Sequence, residues 1–220
     1  MLARVFTSAN IELLLRGAGH TLLLSSVGII FGAMVGGIFA IVRTYPTRLL
    51  IPVRILIWIY TEIFRRTPLL ILILLSYFGL AIVKIKVSNL FVALVAVSAA
   101  SIAYMAENIR AGINSLPYTQ WEAGFALGLR GFQVLYYVVL PQALRISIPP
   151  SIGFFQSLIK DTSMATIIGI VELTHAGVIL RYRFPLASFY IFGAVMVAYF
   201  LICFPLSWAG DRVERRLKRG

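Results

Sequence analysis

The sequence predicts an all-α integral membrane protein, and two observations lead to this fold class. First, 60% of its 220 residues are hydrophobic and only 13% are charged, whereas a soluble domain carries about 25% charged residues. Second, three runs contain no Asp, Glu, Lys or Arg: residues 21–42, 87–106 and 184–210. A helix needs roughly 20 apolar residues to cross a bilayer. Each run meets that length, which disfavours the alternative of a large soluble core of buried helices.

Five membrane spans are expected in a single transmembrane domain over residues 1–220. They cover approximately residues 21–42, 50–83, 87–109, 132–159 and 184–210. As one straight helix the second element would measure about 50 Å, too long for a membrane. Pro68 disfavours helix at the residue before it, so a bend is expected near residue 67.

Small residues and prolines refine two of these spans. Gly28, Gly32 and Gly36 recur every four residues, which gives the first helix a smooth face for close approach of another helix. Pro149 and Pro150 are expected to break the fourth helix. The mixed segment that follows, residues 160–183, is too polar to be read as a full crossing.

The net charge of +12 is spread over the ends of the apolar segments and is densest in the C-terminal tail, at Arg212, Arg215, Arg216, Lys218 and Arg219. This distribution is typical of the positive-inside rule and makes nucleic-acid binding a poor interpretation. With five spans, it predicts a cytoplasmic C-terminus and an outer N-terminus. The charge bias is partial, because four cations would then lie outside: Lys84, Lys86, Arg181 and Arg183.

The residues that catalysis or metal binding would need are sparse. His20 and His175 have no second ligand at metal spacing, and the lone Cys203 excludes an internal disulfide. The chain has no G-x-x-x-x-G-K-[ST] phosphate loop. No catalytic residue, metal site or cofactor is therefore expected in this chain.

Residues 117–131 form a less apolar segment between the third and fourth spans. Thr119 and Glu122 have the spacing of a capping box at a helix start. Trp121 and Phe125 are four residues apart and share one side of that helix. A short helix with aromatic side chains and small residues suits docking into a cleft of another protein.

The same segment resembles the cytoplasmic motif of ABC importer permeases: E-A-A, three residues, G, nine residues, then I-x-L-P. The matching residues are Glu122, Ala123, Gly124, Gly128, Leu140 and Pro141. Gly124 replaces the second alanine, and Val138 replaces the isoleucine. In that family the motif forms a coupling helix that sits in a groove of the ATP-binding subunit. The resemblance implies this coupling role, and the alternative is that Glu122 only caps its own helix.

Four further stretches resemble the polar amino acid subfamily, which includes histidine, glutamine, glutamate and arginine permeases. They are Thr21-Leu22, Arg65-Arg66-Thr67-Pro68, Tyr104-Met105-Ala106-Glu107 and Lys160-Asp161-Thr162-Ser163. The resemblance spans nearly the whole chain and implies the transmembrane fold of a type I ABC importer.

Charged and hydroxyl side chains near the predicted bends are candidates for a substrate pathway. They are Arg65, Thr67, Glu107, Lys160, Asp161, Thr162, Ser163 and Glu172. Ionisable groups within a bilayer are costly unless paired or hydrated. The alternative is structural: Glu62 with Arg66, and Glu107 with Arg110, have the spacing of local ion pairs. Glu172 is expected to face a cavity or the outer surface.

The resemblance implies an ATP-driven importer subunit in the bacterial cytoplasmic (inner) membrane, with several partners. These are two copies of an ATP-binding subunit that holds ATP and Mg²⁺, a second permease subunit (identical or homologous), and a periplasmic or extracellular solute-binding protein. The substrate would be a polar amino acid, whose identity the sequence leaves open. Two rival functions are a secondary transporter and a membrane-embedded enzyme, but the chain shows neither an internal repeat nor a catalytic cluster.

Overall fold

The computed structural model describes residues 2–45 and 47–217, and this part of the chain contains helices and connecting segments without β-strands. Lys218 and Arg219 of the basic tail lie outside the described residues. Four of the described helices are long and apolar enough to cross a membrane, and a bent pair of shorter helices provides a fifth candidate. The predicted all-α membrane fold is confirmed.

The first long helix begins well before the predicted residue 21. After α1 (Leu2–Val5), α2 runs over Ser8–Thr44 and has 37 residues, a length of about 55 Å at 1.5 Å per residue. Glu12 and Arg16 form an exposed ion pair of 2.6 Å on its first turns. These charges end the apolar run but not the helix, because an exposed pair four residues apart supports helical structure.

The second predicted span is two helices, α3 (Ile51–Arg66) and α4 (Leu69–Ile82), bent by 111°. Thr67 has extended backbone, with φ −92° and ψ 130°, and its N–H bonds to Ile63 O. Extended backbone is the conformation that a following proline favours. The bend therefore lies where Pro68 predicts it.

Helix α5 (Asn89–Asn114) packs along the glycine face of α2. A Cβ atom added at Gly36 would lie 2.8 Å from Ile102 O, and one at Gly32 would lie 3.0 Å from Ser101 Cβ. The two helices thus touch at backbone distance, as the four-residue glycine spacing predicts.

Three helices follow α5: α6 (Thr119–Ala126), α7 (Gly131–Val134) and α8 (Leu140–Asp161). A π-helical turn, Leu135–Val139, joins α7 to α8. The predicted break at Pro149 and Pro150 is wrong, since α8 continues through both. Proline fixes φ near the helical value, and two serine hydroxyls of α8 add hydrogen bonds to carbonyls one turn back.

The mixed segment after α8 contains a 3₁₀ helix (Thr162–Ile168) and α9 (Leu173–Arg183). The 11 residues of α9 measure about 16 Å, too short to cross a bilayer. A 3₁₀ turn (Pro185–Ala187) then leads into α10, which covers Ser188–Leu217.

Two apolar clusters mark the opposite ends of this helical bundle. Val5, Leu180, Ala187 and Ile191 belong to one cluster, and Met105, Ile113, Val134 and Val139 belong to the other. At the first end α9 lies against α2, where a Cβ at Gly17 would approach Glu172 O to 2.9 Å. At the second end α6 and α7 cover the last turns of α5. The α6 end and the α9 end are therefore opposite faces of the molecule.

Candidate functional site

A cavity of about 500 Å³ lies where the start of α4 faces α5 and α8. It is lined by Thr67, Pro68, Leu69, Ala100, Tyr104, Asn108, Pro150, Gly153, Phe154, Ser157, Leu158, Asp161 and Met164. The bend between α3 and α4 forms one wall, because Pro68 turns the chain there. A cavity of this size with several polar side chains can hold a small polar molecule.

Tyr104 and Asn108 are cavity residues that the sequence reasoning did not select. They lie four residues apart on α5, and Ala100 continues the same helical face. Ser157 and Asp161 have the same spacing on α8. Polar residues four positions apart in two apolar helices share one helical face, and this pattern could have indicated a polar cavity from the sequence.

The aromatic ring of Tyr104 connects three elements around the cavity. It stacks on Phe154 of α8, with the ring centroids 4.8 Å apart and the planes at 18°. Its hydroxyl donates to Arg65 O at 3.1 Å, on the last turn of α3. The position of the α3–α4 bend is thereby tied to the cavity wall.

Beside the cavity, the carboxylate of Glu107 binds three arginines. Arg110 donates to both carboxylate oxygens, at 2.6 and 2.9 Å, while Arg43 Nη1 lies 3.0 Å and Arg65 Nη1 lies 3.4 Å from it. Arg43 Nη1 also donates to Thr61 at 3.0 Å. The local pair of Glu107 with Arg110 is therefore one part of a cluster joining α2, α3 and α5. Arg66 and Glu62 form a separate pair of 2.6 Å.

The four residues Lys160 to Ser163 point to different places. Asp161 is half-buried and lines the cavity. Thr162 is buried and donates to Ile159 O at 2.7 Å, within its own helical turn. Lys160 is exposed, and neither it nor Ser163 is among the cavity-lining residues. The structure brings Thr67 and Asp161 together at the cavity, with Arg65 and Glu107 beside it.

Glu172 does not line the cavity beside the α3–α4 bend, and it is not on the outer surface, so the expectation of a surface position is wrong. Its side chain is fully buried and caps α9 by accepting from the N–H groups of Thr174 and His175, at 2.8 and 2.7 Å. Thr166 and Tyr199 donate to the same carboxylate at 2.7 and 3.0 Å. Four donors on one buried carboxylate hold α9, α10 and the preceding 3₁₀ helix together.

Helix α6 begins differently from the predicted capping box. Tyr118 occupies the cap position and Thr119 is the first helical residue, with no side-chain bond at the cap. The first N–H groups of α6 bond instead to backbone carbonyls: Gln120 to Pro117, and both Trp121 and Glu122 to Tyr118. The capping-box prediction is wrong because the turn after Pro117 already satisfies these donors.

Two glycines of the motif have distinct structural reasons. Gly124 is buried, and a Cβ there would lie 2.8 Å from both methyl groups of Val134. Val134 of α7 thus occupies the space that the second alanine of the motif would need. Gly128 has φ +77°, and Gly128 and Leu129 donate back to Phe125 O and Gly124 O. This is a glycine-terminated helix end.

The outer side of α6 is left open, while its inner side is anchored. Trp121 packs against the apolar cluster at the end of α5, and Gln142 of α8 donates to Gln120 at 3.1 Å. Glu122 and Ala123 are exposed, as are the larger side chains of Phe125 (46%) and Leu127 (80%). Leu140 is half-buried and Pro141 exposed at the start of α8. Apolar exposure on a fixed short helix suits contact with another protein.

Within residues 2–45 and 47–217, no group of three or more His, Cys, Asp or Glu is placed to hold a metal ion. The arrangement is a bundle of membrane-length helices with a cavity that carries polar side chains, and the short helix α6 lies at one end with exposed apolar side chains. These features define a multi-pass membrane transport protein.

Comparison with known families agrees with this class. The family described as "Binding-protein-dependent transport system inner membrane component" matches residues 28–219, and the chain belongs to that family. The L-cystine transport system permease protein TcyB of Bacillus subtilis is 36% identical over 203 residues, covering 92% of this chain and 86% of the relative. The glutamine transport system permease protein GlnP of Escherichia coli is 35% identical over 211 residues, covering 94% of each.

Solved structures show the same fold. A crystal structure described as an amino acid ABC transporter with histidines matches with a TM-score of 0.84 and 28% identity, covering 94% of both chains. An inward-facing structure of the MetNI methionine ABC transporter matches with a TM-score of 0.77 over 96% of this chain and 99% of that chain. Its 21% identity shows the fold alone. The predicted transmembrane fold of a type I ABC importer is confirmed.

Proposed function

We propose that this chain is the transmembrane subunit of an ATP-driven importer for a polar amino acid. The observation that carries the proposal is the similarity to permeases named for glutamine and L-cystine transport, which extends over at least 86% of both chains in each comparison. The polar cavity beside the α3–α4 bend supports it, because a polar solute needs hydrogen-bonding groups at membrane depth.

The energy is supplied by partner subunits. Two ATP-binding subunits hold ATP and Mg²⁺, and this chain contributes no cofactor. Two permease subunits, identical or homologous, form the pathway, and a periplasmic or extracellular binding protein delivers the amino acid. The family description, which names dependence on a binding protein, supports the last of these partners.

The coupling role belongs to α6 and the start of α8. Glu122, Ala123, Gly124, Gly128, Leu140 and Pro141 contact or shape the surface that meets the ATP-binding subunit. The exposed Phe125 and Leu127 fit an apolar groove on that subunit. The hydrogen bond between Gln142 and Gln120 would transmit displacement of α6 to α8.

The membrane orientation follows from the coupling role. The α6 end faces the cytoplasm, and the α9 end faces outward in a bacterial cytoplasmic membrane. Helix α2 starts beside α9, which supports an outer N-terminus. Helix α10 also starts beside α9, where a Cβ at Gly177 would lie 2.8 Å from Val195, and its other end points to the cytoplasm.

The substrate path includes the cavity, with Thr67 and Asp161 in contact with the amino acid. Among the described residues that line the cavity, Asp161 is the one carboxylate, and it suits the ammonium group of an amino acid. Arg65 and Glu107 hold the neighbouring wall. Lys160, Thr162 and Ser163 adjoin Asp161 in the chain and act only through its backbone position. Glu172 stays outside the path as the buried cap of α9.

The test is uptake of a panel of labelled amino acids into proteoliposomes that contain this chain with its ATP-binding subunit and binding protein. We expect ATP-dependent uptake of one polar amino acid and at least a tenfold loss with Asp161→Asn, because a charge-assisted hydrogen bond is removed. Asp211→Asn makes the same chemical change on the exposed last part of α10 and should stay within about twofold.

Uptake that follows an ion gradient without ATP would identify a secondary transporter and contradict the proposal. Equal uptake by wild type and Asp161→Asn would refute the assignment of the cavity while leaving the importer function intact.

A further inference from the structure

A second cavity, of about 300 Å³, opens on α3 near the end of α2. Arg43, Ile51, Arg54, Ile55 and Trp58 line it. None of these residues lines the larger cavity or lies within residues 117–131. The second cavity combines two guanidinium groups with apolar side chains, which is the composition of a site for an amphiphilic anion.

One of the two guanidinium groups, that of Arg54, is held in place by the protein without a neutralising carboxylate. Arg54 Nε donates to Arg43 O at 3.0 Å, which leaves its two terminal nitrogens for other acceptors. Among the described residues, no carboxylate lies within ion-pair distance of Arg54. Arg43 does contact Glu107, but that carboxylate is shared with two other arginines.

The apolar part of the cavity is a stripe along α3. Ile51, Ile55 and Trp58 follow the i, i+4, i+7 spacing of one helical face, and their exposed fractions are 47%, 51% and 51%. The stripe extends about 10 Å along the helix axis. Tryptophan is enriched where hydrocarbon meets lipid headgroups, since its ring is apolar and its N–H polar.

We propose that this cavity binds an anionic phospholipid, with the phosphate on Arg54 and Arg43 and one acyl chain along Ile51, Ile55 and Trp58. Charge complementarity supports this occupant. From residue 13 to residue 61 the chain has no Asp or Glu but four arginines, three of them between positions 43 and 54. Guanidinium groups match phosphate oxygens in a two-bond geometry.

The location fits the same ligand. In the proposed orientation the end of α2 faces the cytoplasm, and the cytoplasmic leaflet carries anionic lipids. The lipid site itself needs only a membrane-embedded complex, so it does not depend on which solute is transported.

The experiment is native mass spectrometry of the intact transporter complex released from detergent after titration with dioleoyl phosphatidylglycerol or dioleoyl phosphatidylcholine. The two lipids share their acyl chains and differ in net charge. We expect one phosphatidylglycerol per copy of this chain to be retained in preference to phosphatidylcholine. Arg54→Gln should weaken that retention about tenfold, because charge-assisted hydrogen bonds to the phosphate are lost.

Arg48→Gln is the matched control, since Arg48 is an exposed arginine that does not line the cavity. Retention unchanged in Arg48→Gln supports a defined site, and equal weakening in both variants would overturn it in favour of general surface charge. Equal retention of the two lipids by wild type would also overturn it.

A further variant separates a lipid from a free anion. Ile55→Ala should weaken lipid retention, and inorganic phosphate in excess should fail to displace the lipid, because phosphate has no acyl chain to bury. If phosphate displaces the lipid and Ile55→Ala has no effect, the site binds small anions instead. A third outcome would also overturn the proposal. If wild type retains no lipid and Arg54→Gln makes a partner subunit dissociate, a carboxylate of that subunit occupies the cavity.

Discussion

Glu107 joins three helices through charge, and a local sequence pattern explains only one of its contacts. Arg110 lies three residues away on α5, whereas Arg43 comes from α2 and Arg65 from α3. Because Glu107 and its partners are partly buried, each guanidinium group relies on this carboxylate for compensation. The residue that looks like half of a surface ion pair is thus the centre of a cluster.

Replacing Glu107 tests how much the cluster of one glutamate and three arginines stabilises the protein. We expect Glu107→Gln to lower the free energy of unfolding by about 2–3 kcal/mol, because three arginines would lose their shared anion. Glu62→Gln removes one carboxylate from the pair with Arg66, whose side chain is 77% exposed, and should cost less than about 1 kcal/mol. Thermal unfolding in detergent compares the stability of the two variants. Equal destabilisation by Glu107→Gln and Glu62→Gln would contradict a central role of the Glu107 cluster.

Glu172 shows a second way in which a single residue differs from its expected role. A lone glutamate next to an apolar run looks like a candidate for a cavity or an outer surface. In the structure it accepts hydrogen bonds from Thr166, Tyr199 and two backbone N–H groups. Tyr199 is 27 positions away in the chain, so no local pattern could reveal that partner.

Among the elements, α6 is a short helix whose end conformation matters for its function. Its final turn is closed by Gly128 with positive φ, and an added Cβ would meet open space there. The requirement at this position is therefore backbone conformation and not side-chain room. A short helix gains little stability from its length, so its ends contribute a large share.

Substitutions at Gly128 separate these two requirements. Gly128→Ala should destabilise the end of α6 by about 1–2 kcal/mol, because alanine is unfavourable in the left-handed region. Gly128→Asn should be tolerated better, since asparagine adopts that region readily. ATP-dependent uptake at equal protein levels should be lower for the alanine variant, and the reverse order would contradict the conformational explanation.

At the scale of the whole molecule, α2 and α5 form the central helix pair. Helices α3, α4 and α8 pack against α5, and α9 packs against α2. Gly36 and Gly37 are neighbours that differ in their surroundings. A Cβ at Gly36 would approach backbone atoms at 2.8 and 2.9 Å, whereas one at Gly37 would find only Ile109 at 3.7 Å. Backbone atoms in packed helices cannot move aside cheaply.

This difference gives a paired prediction for stability. We expect Gly36→Ala to lower the apparent unfolding temperature, with a cost of about 1–3 kcal/mol from overpacking. Gly37→Ala should have little effect, or a slightly stabilising one, because alanine favours helix. If both variants unfold at the same temperature as wild type, the two helices do not touch as closely as described.

The parts of the fold that were predictable are those that local chemistry determines. Charge-free runs predicted three of the long helices, and Pro68 predicted the bend, because both signals act locally along the chain. The start of α2 was missed since an ion pair on a helix surface interrupts the apolar run without interrupting the helix. The cavity was half predicted: Thr67 and Asp161 were candidates, but Tyr104 and Asn108 meet them only through the packing of α5 against α8.

The length of α2 has a mechanical consequence. At about 55 Å it exceeds the roughly 30 Å of hydrocarbon it crosses, and it touches α9 at one end and the arginine–glutamate cluster at the other. A long α-helix resists bending, and the glycine face of α2 packs against α5 at backbone distance. This contact is the point about which α2 can tilt. Tilting of α2 about this contact moves its two ends in opposite directions. A displacement at the arginine–glutamate end would then appear at the α9 end with the opposite direction, so one helix links the two faces of the molecule mechanically.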